Sequence, residues 1–223
     1  KSPFWDFSIT AYAKELDVAR TDDGSITFVD TGISSDGYTG IMFNIQGDEI
    51  SDIEISVDKG ELYSASIEDT TEDALNKWAA QGMPDMDGNP DTNTIVETPA
   101  IEEGEDAPDI RSARLYHCTR RSALIRDKYD REKYYGFYIP EQAVSTINDE
   151  TDLAEAYHDM LNIFDGAVMT VKVSYSDGSS LKKEYELSAA KLTQDENGTI
   201  TQEEWTGGDE GAFVYGIIGR EQK

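Results

Sequence analysis

From Phe7 to Ile67 the chain is built of short runs in which apolar residues fall at every second position. Each run ends at a Gly or Asp turn. Ile41, Phe43 and Ile45 alternate until Gly47-Asp48, and Ile53, Ile55 and Val57 alternate until Asp58-Lys59-Gly60, which leads to Leu62-Tyr63. Asp22-Asp23-Gly24-Ser25 precedes a further run, Ile26-Thr27-Phe28-Val29. A period of two places one set of side chains on one face of an extended strand, and turns this frequent leave room only for antiparallel neighbours. The texture returns after Gly166. Val168 to Tyr175 and Leu181 to Leu187 flank Ser176-Asp177-Gly178-Ser179, and Asp-Gly between alternating runs is a strong local hairpin signal. Asn197-Gly198 marks a second hairpin, and Phe213 to Ile218 reads as a buried strand.

Two stretches carry the other period. Thr70 to Gln81 predicts a short helix, with Leu75, Trp78 and Ala79 on one face and Thr70 or Thr71 as its cap. Asp152 to Phe164 predicts a second, with an apolar stripe of Leu153, Tyr157, Met160, Leu161 and Phe164 that ends at Asp165-Gly166. Between them, residues 83–109 hold Pro84, Pro90, Pro99 and Pro108 and many acids, and read as a loop or linker. That divides the chain into a β-rich unit, 1–82, and an α+β unit, 110–223, which together could still form one composite domain.

The 46 Asp and Glu residues against 19 Lys and Arg give a net charge of −27, which repels nucleic acid and anionic membranes. No apolar run approaches the ~20 residues of a membrane helix, so this segment is not expected to insert into a bilayer. Lys1-Ser2-Pro3-Phe4-Trp5 suits the stretch that follows a signal or membrane anchor, and the expectation is an extracellular or cell-surface location. The single cysteine, Cys118, forms no intrachain disulfide and is expected to pack as a small apolar group.

Three constellations bear on function. Asp85, Asp87 and Asn89, with Asp91 beyond, offer oxygen ligands at alternate positions, as the start of an EF-hand loop does. Pro90 then stands where that loop needs Gly, and Val96 where it needs the closing Glu. The expectation is a weak calcium site at most, through which about millimolar Ca²⁺ would raise the melting temperature slightly. Residues 113–139 concentrate positive charge and aromatics. They would serve either internal pairing with acids such as Glu102, Glu103, Glu105 and Asp106, or a recognition patch for a protein or glycan ligand. That patch would be built from Arg131, Tyr134, Tyr135 and Tyr138, because Tyr and Arg suit binding hot spots. Catalytic chemistry is sparsely supplied. His117 and Cys118 are adjacent and so point to opposite faces of a strand, and Glu203-Glu204-Trp205 is the carboxylate pair beside an aromatic.

Val171 to Ser179, followed by Lys183-Glu184-Tyr185-Glu186-Leu187, resembles the terminal hairpin of immunoglobulin-like modules in bacterial surface proteins. The acidic, cysteine-poor composition is similar to that of Gram-positive ectodomains, some of them membrane-tethered regulators. The resemblance implies a mainly β, α+β fold with an immunoglobulin-like antiparallel sandwich core and two short helices. It also implies a non-enzymatic binding or sensing region of a secreted or membrane-anchored protein. The alternatives are a carbohydrate-active hydrolase using paired carboxylates, and a calcium-stabilised spacer.

Overall fold

The computed structural model describes residues 5–32, 37–80, 92–97, 112–120, 122–139, 159–207 and 213–223. The chain is mostly β, with two sheets packed as a sandwich and two short helices. The first sheet contains β1 (Phe7–Tyr12), β4 (Tyr38–Gly47), β6 (Glu61–Thr71), β7 (Thr92–Glu97), β8 (Ser112–Arg120) and β10 (Lys133–Tyr138), in the order β1-β4-β10-β6-β8-β7. The second contains β2 (Asp17–Val18), β3 (Ile26–Val29), β5 (Ile50–Val57), β9 (Leu124–Lys128), β11 (Val168–Tyr175), β12 (Ser180–Gln194), β13 (Thr199–Glu204) and β14 (Phe213–Glu221). Its path is β2-β13-β12-β11-β5-β9, with β14 joining β12 to β3. Every described pairing is antiparallel except the short parallel one between β13 and β2.

The stretches 1–82 and 110–223 are interleaved rather than set side by side. β10 lies between β4 and β6, and β11 and β9 flank β5. Within residues 83–109, read from sequence as loop or linker, Thr92–Glu97 forms an edge strand on β8. Thr92, Thr94, Ile95 and Val96 are β-branched, so the segment suits a pleated surface once a partner is present. The site expected at Asp85, Asp87, Asn89 and Asp91 lies outside the described residues, as do Glu102, Glu103, Glu105 and Asp106.

The helix predicted over 70–81 is α1 (Glu72–Ala80), and the Thr71 hydroxyl accepts from the Ala74 amide at 3.4 Å. Of the helix predicted over 152–164, the described part is a helical turn at 159–161 that runs into a 3₁₀ turn, Asn162–Phe164. Leu161 and Phe164 are fully buried, so the end of the predicted stripe faces the core as its spacing requires.

The alternation fixes the sandwich core. Ile41, Phe43 and Ile45 from one sheet meet Ile53, Ile55, Val57, Met169, Val171 and Val173 from the other. At its centre Phe28, Phe43, Phe137 and Phe164 stack with ring centroids 5.1–5.8 Å apart. Gly60, at φ +80°, makes the turn into β6, and a Cβ there would stand 2.4 Å from the Phe164 ring.

The opposite face of the first sheet is also buried, which simple alternation does not foresee. It carries Tyr38, Met42, Tyr63, Ala65, Tyr116, Cys118 and Tyr138, with Tyr12, Ile67, Ile95 and Tyr134 packed against them. β1 and β8 are separated by three strands, so a flat sheet would hold them roughly 19 Å apart. Yet Tyr12 Oη lies 3.1 Å from Tyr116 Oη, and Lys14, just past β1, pairs with Glu97 on β7. The sheet therefore curls until its two ends meet, and the tyrosines fill the concave side. Gly136 makes room there: a Cβ would sit 2.2 Å from the Tyr63 ring.

Candidate functional site

The expected patch of Arg131, Tyr134, Tyr135 and Tyr138 is distributed over three environments. Arg131 is exposed in the turn before β10, and its carbonyl accepts from Gln46 Nε2 at 3.0 Å. Tyr134 and Tyr138 face the concave side of the curled sheet, where Tyr134 packs edge-on against Tyr12 at 5.2 Å and Tyr138 against Tyr38 at 4.9 Å. Tyr135 points the other way into the sandwich core beside Phe43. Among the described residues, Arg114, Arg126, Lys128 and Lys133 of this segment are paired with carboxylates on other strands. Arg114 grips Asp69 through Nε at 2.6 Å and Nη2 at 3.3 Å, and Lys133 meets Asp127 at 3.2 Å.

At the seam of the curled sheet these charges form a donor chain. Arg114 Nη1 donates to Tyr12 at 3.5 Å, Tyr12 donates to Tyr116, and Tyr116 donates to Glu97 at 2.9 Å. Glu97 in turn takes Lys14. Burial, then the Tyr12 hydroxyl, pushes the Tyr116 phenol well above its ordinary range, so it stays a donor. The Arg114 guanidinium holds the Asp69 carboxyl below its own.

His117 and Cys118 point to opposite faces of β8. His117 lies between Glu68 Oε2 at 3.1 Å and Thr94 Oγ1 at 3.2 Å, whereas Cys118 is 1% exposed among the tyrosines. Burial pushes the Cys118 thiol up to about 12, so it is neither thiolate nor accessible. Glu203 and Glu204 are consecutive on β13 and so face opposite sides.

An open cavity of about 430 Å³ lies across β9, β5 and β11, on the solvent face of the second sheet. The same alternation that sends Ile53, Ile55, Val171 and Val173 inward turns Asp52, Glu54, Lys172 and Ser174 outward. Register then places Arg126 beside Glu54, Lys128 beside Asp52, and Lys172 beside Glu54. Arg126 Nε reaches Glu54 at 2.6 Å and Lys128 Nζ reaches Asp52 at 2.5 Å. The Lys128 hydrogen bond, then that of the Ser51 hydroxyl, holds the Asp52 carboxyl below its usual range. Lys172 makes no ion pair among the described residues, and Lys182 flanks it across the β11–β12 pairing. This groove has no motif in the sequence. Its signal was the polar half of each alternating run, but only strand order shows that three such runs lie together.

Fold and groove together define an acidic β-sandwich with a mixed-charge cleft on one sheet. No family model and no curated protein matches the chain. Among solved structures, a DUF4466 family protein from Parabacteroides merdae is similar at 13% identity and a TM-score of 0.24. The match covers 85% of this chain and 49% of that one, so the chain spans about half the length of that protein.

Proposed function

We propose that the chain is a non-enzymatic binding region of an extracellular or cell-surface protein, and that the groove over β9, β5 and β11 takes a glycan. The observation that supports this reading is the groove itself, where three cations, three carboxylates and a hydroxyl line one cavity. Such a set donates to and accepts from several sugar hydroxyls at once. Its ion pairs are loosely held. The Arg126 and Lys128 side chains are 69% and 85% exposed, so each pair is screened by solvent and exchanges readily for a ligand.

A glycan array spanning neutral and acidic oligosaccharides tests the proposal. Expected are one or more binders whose affinity for Arg126→Ala/Lys172→Ala falls at least about tenfold, roughly 1.4 kcal/mol. Absence of any binder, or unchanged affinity in the double variant, would overturn it.

A further inference from the structure

Roughly 30 Å along β12 from Lys182, at the strand's other end, three half-buried rings surround an ammonium. Lys191 Nζ lies 4.8 Å from the Phe213 ring centroid, 5.2 Å from that of Trp205 and 5.7 Å from that of Tyr215. The rings are mutually braced. Trp205 and Phe213 stand 4.7 Å apart at 45°, and Phe213 and Tyr215 5.1 Å apart at 80°. Strand pairing holds all of them in place. Lys191 is in register with Tyr215 and Thr193 with Phe213, and the Trp205 amide donates to the Lys191 carbonyl at 3.1 Å.

Among the described residues Lys191 has no carboxylate partner, so the ring faces are what its charge meets. A cation within about 6 Å of several ring faces is the arrangement that recognises quaternary and alkylated ammonium groups. A lysine ammonium is strongly hydrated and gains little by leaving water, whereas a quaternary ammonium gives up less hydration at the same rings. Exposed Glu203 and Glu204 stand just before Trp205, and the net charge of −27 raises the local concentration of any cation.

We propose that Trp205, Phe213 and Tyr215 form a binding site for a quaternary ammonium group, which Lys191 fills in the unliganded chain and a ligand displaces. This site is independent of the groove. A tethered competitor lowers apparent affinity by the fraction of time the cage stands open, so removing it tightens binding.

The test is choline titrated into wild type, Lys191→Ala and Lys191→Ala/Trp205→Ala, read by nuclear magnetic resonance at the Trp205 indole N–H and the Tyr215 amide. Equal concentrations of sodium chloride serve as the reference. Expected is saturable, on-the-order-of-millimolar binding to Lys191→Ala. It should be several-fold weaker in wild type and lost in the double variant. Lys191→Gln, which keeps the side-chain stem but not the charge, should bind as Lys191→Ala does, which separates loss of the tethered cation from loss of stability. The same shifts with sodium chloride, or none in either Lys191 variant while the spectrum stays folded, would overturn the proposal. Cosedimentation of Lys191→Ala with phosphatidylcholine vesicles and not with phosphatidylglycerol vesicles would assign a lipid headgroup as the source. Choline binding without cosedimentation would assign a soluble ligand.

Discussion

Gly136 shows how a single residue decides what one face of a sheet can hold. Its φ is outside the left-handed region, so the requirement is space, because the buried Tyr63 ring lies where a Cβ would go. Tyr63 is 1% exposed and donates to the Thr39 carbonyl, so it has nowhere to retreat. Gly136→Ala should therefore destabilise the chain by about 1–3 kcal/mol, visible as a lower denaturation midpoint at unchanged slope. An unchanged midpoint would mean that the ring is not packed as described. Cys118, on the same face, should resist a thiol reagent at pH 8 in the native state and react only as fast as the chain opens. Rapid labelling without denaturant would contradict its burial.

At the scale of elements, the first sheet is explained by its seam. The donor chain from Arg114 to Glu97 joins β8, the end of β1 and β7, and it closes over the buried tyrosines. The phenols of Tyr116 and Tyr185 are both raised by burial. Such a group stabilises the fold fully below its unfolded pKa of about 10 and loses that contribution as pH climbs towards the folded value. Stability should accordingly fall through the alkaline range above pH ~10, while tyrosinate absorbance rises. Tyr116→Phe should flatten that fall, and an equal slope in the variant would remove Tyr116 from the explanation. The sequence made the strands legible because alternation and Asp-Gly turns act locally. Ile53, Ile55 and Val57 fall on β5, and the turn at Asp177-Gly178 joins β11 to β12. The curl was not legible, because it depends on Tyr12 meeting a residue 104 positions away. β7 was hidden for a related reason, since an edge strand among prolines and acids takes its conformation from β8. The groove lay between these cases. Its outward residues follow from alternation, but their meeting depends on the order β11-β5-β9.

For the molecule as a whole, charge sets the conditions under which the fold operates. A net charge of −27 repels itself, and the cations answer part of it by pairing across strands, as Arg114, Arg126, Lys128 and Lys133 do. Raising sodium chloride from about 10 to 150 mM shortens the screening length from roughly 30 to 8 Å and should raise the melting temperature. A falling melting temperature would show that the surface pairs outweigh the repulsion. Interleaving of the two halves through β10 and β11 gives both sheets strands from each end of the sequence, so the groove requires the assembled sandwich. The most direct measurement is an amide chemical-shift map of the intact chain titrated with the tightest oligosaccharide from the array. The largest shifts should fall on Glu54, Arg126, Lys128 and Lys172. Shifts centred instead on Lys191, Trp205 and Tyr215, or spread without a centre, would contradict the groove as the binding site.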